Sequence, residues 1–183
     1  MNTPAHMALA WAVLGRKSHP PGSVWYILGG AFLPDMALFA RAALGERDGL
    51  PILVDALNSL PVYAVLLGVA LWLGKRGVAL LAAAALLHIA MDLPLHADDA
   101  RAHFWPLTDW RFQSPVSFWD GDHHGRIFGI LEAVLFMGCG MLIWQRQEHF
   151  AAKALLVAFG ALYAVTFVHF VGHAFANEHW APW

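Results

Sequence analysis

The sequence predicts an all-α fold. The expected form is an integral-membrane helical bundle with about five spanning helices, a short N-terminal helix and a structured polar loop, forming one domain over residues 1–183. Two observations carry this expectation. Hydrophobic residues make up 59% of the chain and charged residues only 13%, where a soluble domain carries about 25% charged residues. The apolar residues also gather into stretches that approach the ~20 residues needed to cross a hydrocarbon core. The same composition excludes disorder, which needs a polar, charge-rich chain. With 11 Lys+Arg against 13 Asp+Glu, the chain lacks the basic excess of a nucleic-acid binder. Its one cysteine, Cys139, excludes an internal disulfide framework and a zinc site built mainly from thiolates.

In chain order, Ala5 to Leu14 reads as an apolar helix too short to span alone. Val24 to Ala40 is apolar apart from Asp35, with Pro34 expected to kink it. Leu57 to Leu73 is apolar after Asn58 and Ser59, and Pro61 falls in its first turn, where proline is tolerated. Gly77 to Leu95 carries no charge before Asp92. His96 to Arg126 is the longest polar segment, rich in Asp, His and Trp, and reads as a structured loop at one membrane face. Ile127 to Trp144 has the single charge Glu132, and Ala154 to Ala174 has none. Arg16 and Lys17 follow the first apolar run rather than precede it, which does not fit a cleaved signal peptide.

Alternation sorts the loops. Arg16, Lys17, Lys75, Arg76, Arg146 and Lys153 fall at one face; Arg41, Arg47, Arg101, Arg111 and Arg126 fall at the other, in longer loops. Short basic connections make the first face cytoplasmic. The 11 histidines divide unevenly: His19 and His149 go to the first face, and His88, His96, His103, His123, His124, His169, His173 and His179 to the second. His6 sits in the short first helix. Asp35 and Asp92 approach the histidine-rich end of their helices.

The strongest local signal is His88-Ile-Ala-Met-Asp92. Spacing i, i+4 sets imidazole and carboxylate on one helical face, where they can ligate one metal, or the Asp can orient the His. An ion pair that packs two helices is the bland alternative. His96 continues the stripe if the helix survives Pro94. His6 and Asp35 would complete a two-His, two-carboxylate set suited to Zn²⁺ or another divalent transition metal. Asp35 in Pro34-Asp35 also fits a plain turn. In the loop, Asp120-Gly-Asp122-His123-His124 offers His123 or His124 as acid/base, or is a solvated segment with Trp105, Trp110 and Trp119 at the interface. His169 and His173 share a helix face and could complete the site, form a second one or bridge helices.

Thr3-Pro4-Ala5-His6, Gly30-Ala31-Phe32-Leu33-Pro34-Asp35, and His88-x-x-x-Asp92 followed by Phe104-Trp105-Pro106 resemble, in that order, the membrane-bound metal-dependent hydrolases of bacteria. That family is also described as LexA-binding and inner-membrane-associated. The resemblance covers roughly the first 106 residues. It implies a multi-helix inner-membrane protein with a metal-hydrolase site. The family's His-Arg-Gly-x-Thr-His-Ser motif is missing. Its nearest counterpart is Asp55-Ala-Leu-Asn58-Ser59-Leu60, which marks a divergent member.

The expected function is therefore a membrane-bound hydrolase with a divalent metal, Zn by ligand type, held by His6, Asp35, His88, Asp92 and His96. Water would attack a phosphoester or lipid-like substrate at the periplasmic face, with His123 or His124 moving the proton. The residues leave two alternatives open. One is a non-catalytic metal-binding or transport protein; the other is a structural partner locked by His–Asp pairs.

Overall fold

The computed structural model describes residues 1–20, 22–45, 49–118 and 120–176. Arg47, Trp119 and His179 lie outside the described residues. Seven α-helices and no strand are present among those described: α1 (Thr3–Leu14), α2 (Ser23–Leu44), α3 (Leu50–Leu57), α4 (Leu60–Trp72), α5 (Arg76–Asp92), α6 (Gly125–Arg146) and α7 (Phe150–Val171). Short 3₁₀ turns cover Leu93–Leu95 and Gly121–His123, and a π turn follows α7. The fold is the helical bundle that the composition requires.

Among the described residues, four helical segments are long and apolar enough to cross a membrane: Ser23–Arg41, Arg76–Leu95, Gly125–Arg146 and Phe150–Ala176. A fifth span exists if α3 and α4 count as one. The run Leu57–Leu73 contains α4, with Pro61 in its first turn as expected, and the structure adds the unanticipated α3 ahead of it. The chain bends by 55° between α3 and α4. The cause is local. The Ser59 hydroxyl accepts from Val62 N at 3.2 Å and caps α4, and Pro61 occupies its first turn. A cap and an N-terminal proline together start a new helix. By contrast α2 continues through Pro34.

Helix α1 occupies the middle of the bundle, against α2, α5, α6 and α7. Ala5, His6, Ala8, Ala10, Trp11 and Ala12 are all buried while Val13 stays 52% exposed, so most of the helix is enclosed, in keeping with its apolar character on every face. Its C-terminal carbonyls would be orphaned in that setting. Arg146 donates to Ala12 O at 2.6 Å and satisfies one of them. Small residues let α2 and α5 approach closely. A Cβ on Gly30 would collide with the Leu81 backbone carbonyl, so only glycine fits this crossing.

The outer faces are apolar. Only 28–39% of each long candidate span is buried inside the bundle. Val65, Leu71, Met141, Val157 and Leu162 are each more than half exposed. A soluble protein rarely exposes so much continuous apolar surface, whereas lipid tails solvate it. The architecture is compatible with an integral membrane protein.

Candidate metal centre

Four elements bring the polar groups together at one end of the bundle. Helix α5 supplies His88 and Asp92, one turn apart. Helix α1 supplies His6, α2 supplies Asp35, and the segment after α5 supplies His96. All five side chains belong to residues at most 5% exposed. His6 Nε2 lies 2.8 Å from Asp92 Oδ1, and His88 Nε2 lies 3.1 Å from Asp92 Oδ2. Asp35 Oδ1 is 3.6 Å from His88 Nε2. His96 Nε2 is 3.3 Å from Asp92 Oδ2; the turn at Leu93–Leu95 ends the helix but keeps His96 beside it. One ligand atom each from His6, His88 and Asp92 lie within 4.8 Å of one another, and this buried group could hold a metal ion. Asp35 and His96 flank it.

The hydrogen bonds around the cluster fix which ring nitrogens face inward. His88 Nδ1 is 2.7 Å from Ala31 O. A carbonyl only accepts, so Nδ1 carries the proton and Nε2 turns toward Asp92 and Asp35. His96 Nδ1 lies 2.6 Å from Asp99 Oδ2 and turns its Nε2 toward Asp92 in the same way. This is the arrangement of metal-bound histidines, whose far nitrogen donates to a carbonyl or carboxylate. A neutral ring so oriented points a lone pair at carboxylate oxygens. Either a cation between them or a proton on the ring removes that repulsion. His6 Nδ1 is buried without a hydrogen-bond partner, which costs about 1–3 kcal/mol unless something satisfies it, and His96 Nε2 has only its 3.3 Å ionic contact with Asp92.

Charge points the same way. Asp35 and Asp92 are two buried carboxylates. The Met1 ammonium lies 2.8 Å from Asp92 Oδ1, and Thr3 Oγ1 donates to Asp35 Oδ2 at 2.6 Å. One ammonium against two carboxylates leaves a negative charge that a cation or an imidazolium must balance.

Outside the spans, two histidines respond in opposite directions. Burial pushes His96 down, but its pairing with the Asp92 and Asp99 carboxylates outweighs burial and raises it above the ordinary histidine value. Burial pushes His103 down, and the net shift stays downward. His103 Nδ1 donates to Asn58 O at 3.0 Å.

Several residues without a role in the sequence reading hold this end together. Asn58 is fully buried. Its amide donates to Pro34 O at 3.0 Å and to Val54 O at 2.9 Å, and its oxygen accepts from Arg101 at 2.9 Å. Asn58 thus ties α2, α3 and the polar loop together, and both of its amide N–H donors are engaged in doing so. Glu132 on α6 accepts from Asn2 N at 3.1 Å and from Asn2 Nδ2 at 2.9 Å. It fixes the start of α1, which carries Thr3 to Asp35. The only sequence signal for Glu132 was its being a lone charge in an apolar helix.

His123 and His124 do not join the cluster's contacts. His123 Nδ1 lies 2.6 Å from Asp120 Oδ2, and Asp98, Asp120 and His123 form a second, more exposed group of potential ligands. His124 begins α6 in a left-handed conformation with φ 62°. The His169 and His173 rings stack with centroids 6.5 Å apart, and neither belongs to a metal-competent group among the described residues.

No family model, curated protein or solved structure matches this chain.

Proposed function

We propose that the protein is a membrane-bound, metal-dependent hydrolase, a divergent relative of the bacterial inner-membrane hydrolases that its motifs resemble. The observation that carries this reading is the inward-facing Nε2 of His88 and His96, each with Nδ1 engaged behind it, against the Asp92 carboxylate. The donor set of imidazole and carboxylate suits a divalent transition metal, and Zn²⁺ is the proposed ion. His6, His88 and Asp92 would hold it, with Asp35 and His96 completing or flanking the shell. Such an ion supplies a Lewis acid and a lowered water pKa.

The chain's own residues supply binding, orientation and proton transfer. Ala31 O and Asp99 hold the His88 and His96 rings in place, and Thr3 does the same for Asp35. Hydrolysis of a phosphoester or carboxylic ester joins a water oxygen to phosphorus or carbon and breaks the bond to the leaving oxygen. One water proton must be accepted, and the leaving oxygen must gain one. His123 and His124 are the loop histidines that the sequence offers for this. His103, which feels the charges of Asp92 and His96, is a further candidate. It is buried beside Asn58, its depressed basicity keeps it neutral near pH 7, and Nδ1 donation leaves Nε2 to accept. The cluster would face the periplasm.

Elemental analysis of detergent-purified protein tests the reading. About one equivalent of transition metal per chain is expected, reduced to background in His88→Ala and Asp92→Asn. Background metal in the native chain would reject it.

A second reading has one contact in its favour. The Met1 ammonium at Asp92 already supplies positive charge, so the cluster could lock helices without a metal. That reading requires Asp92→Asn to lower stability while changing neither metal content nor hydrolysis.

A further inference from the structure

A cavity of about 670 Å³ opens between α1, α2 and α7. Its wall is mostly carbon, from Phe32 and Phe39 of α2 and Phe159, Leu162 and Val165 of α7. Phe39, Leu162 and Val165 are 52%, 58% and 51% exposed, so the cavity is open sideways, toward the space that lipid would fill. Its volume lies within the ~300–1,000 Å³ of small-molecule sites. Its wall runs along α7 from Phe159 to His169, about 15 Å at 1.5 Å per residue.

The polar part of the wall leads to the candidate metal centre. Thr3 lines the cavity and donates to Asp35, and Asp35 in turn lies 3.6 Å from His88 Nε2. An occupant would therefore have an apolar body in the groove and a polar end at the carboxylate–imidazole cluster.

We infer that this groove holds one acyl chain of a membrane glycerophospholipid and presents that lipid's ester or phosphoester to the cluster. The inference rests on the hydrolase reading for its chemistry and on the groove alone for binding. The occupant follows from the wall. A peptide segment would bring backbone N–H and C=O groups into a carbon-lined slot with few partners, each costing several kcal/mol. An acyl chain brings none. It enters laterally without leaving the bilayer, and its length of a dozen or so carbons is on the scale of the wall.

Photocrosslinking tests it. The full chain is reconstituted in phosphatidylethanolamine–phosphatidylglycerol vesicles that contain phosphatidylglycerol with a mid-chain diazirine. Irradiation is followed by peptide mass spectrometry, and metal is measured on the same samples. Adducts are expected to concentrate on Phe32, Phe39, Leu162 and Val165. Leu162→Trp and Val165→Trp, both at exposed positions, should each cut groove adducts about fivefold by filling the slot with an indole, with bound metal unchanged. His88→Ala should lose metal and keep the adducts. Adducts spread over Val134, Met141 and Val157 according to exposure would overturn the inference, as would groove adducts indifferent to both tryptophans. Absence of groove adducts because a second copy of the chain covers the slot would overturn it too. Groove adducts without bound metal would uphold acyl binding and reject the hydrolase reading instead.

Discussion

At Asp92 one carboxylate meets the Met1 ammonium, His6, His88 and His96 within 3.3 Å. Removing its charge leaves those groups without their common partner. Asp92→Asn is therefore expected to abolish metal binding and to destabilise the chain by about 3–5 kcal/mol, the cost of breaking a buried ion pair, read as a lower midpoint of detergent unfolding. His103 makes a separable prediction. His103→Gln should leave bound metal unchanged and lower turnover by about 10²–10⁴. Because burial holds His103 below the ordinary histidine value, a base of this kind is lost only when pH falls below about 6.5. The acid limb of the pH–rate profile should lie there and vanish in the variant. An acid limb unchanged in His103→Gln would return the role to His123 or His124. The exposed loop offers a further check. The Asp120 hydrogen bond raises His123, so the ion pair exists below that raised value and is lost as pH rises through it. Histidine-ring NMR should show the titration moving to lower pH in Asp120→Asn. At this scale the i, i+4 spacing of His88 and Asp92 was legible, because it needs only the helical period. The ring orientations were not, since Ala31 O and Asp99 act across elements or around a turn.

Between elements, the crossing of α2 and α5 sets the distance from Asp35 to His88. Gly30 makes that crossing possible. Gly30→Leu must push the two helices apart, so it should lower stability by about 1–3 kcal/mol through overpacking and should weaken metal retention although residue 30 is no ligand. Metal content equal to the native chain would show that the α2–α5 distance does not control the cluster. The break between α3 and α4 serves the same end. Asn58 fills the corner and joins Pro34 to Arg101. Asn58→Ala would leave the buried Arg101 guanidinium without its acceptor, and a lowered unfolding midpoint is expected. The apolar runs of α2, α5, α6 and α7 announced helices because length and composition decide them. The 55° bend was less visible, since it joins α4 to the eight-residue α3, which lies ahead of the apolar run, and only Ser59 and Pro61 signal a fresh start. The burial of α1 was also hidden. Its sequence says apolar on all sides but not which helices surround it.

Across the whole molecule, the buried histidines and aspartates gather at one end, exposed charges such as the Lys17–Glu148 pair mark the other, and apolar surface covers the sides. Low charge content made a helical bundle with apolar sides legible from composition alone. Convergence of Asp35, His88, Asp92 and His96 followed from counting helix directions, which left His6 unplaced in its short helix, while the cavity between α1, α2 and α7 depends on side-chain shape and had no sequence signal. The central claim is that these residues bind one divalent cation. X-ray absorption at the metal edge of the purified native chain tests it most directly. A first shell of imidazole nitrogen and carboxylate oxygen at about 2.0–2.2 Å is expected, with one imidazole fewer in His6→Ala. A native chain that holds no metal after reconstitution with Zn²⁺, or a shell unchanged in both His6→Ala and His88→Ala, would contradict it.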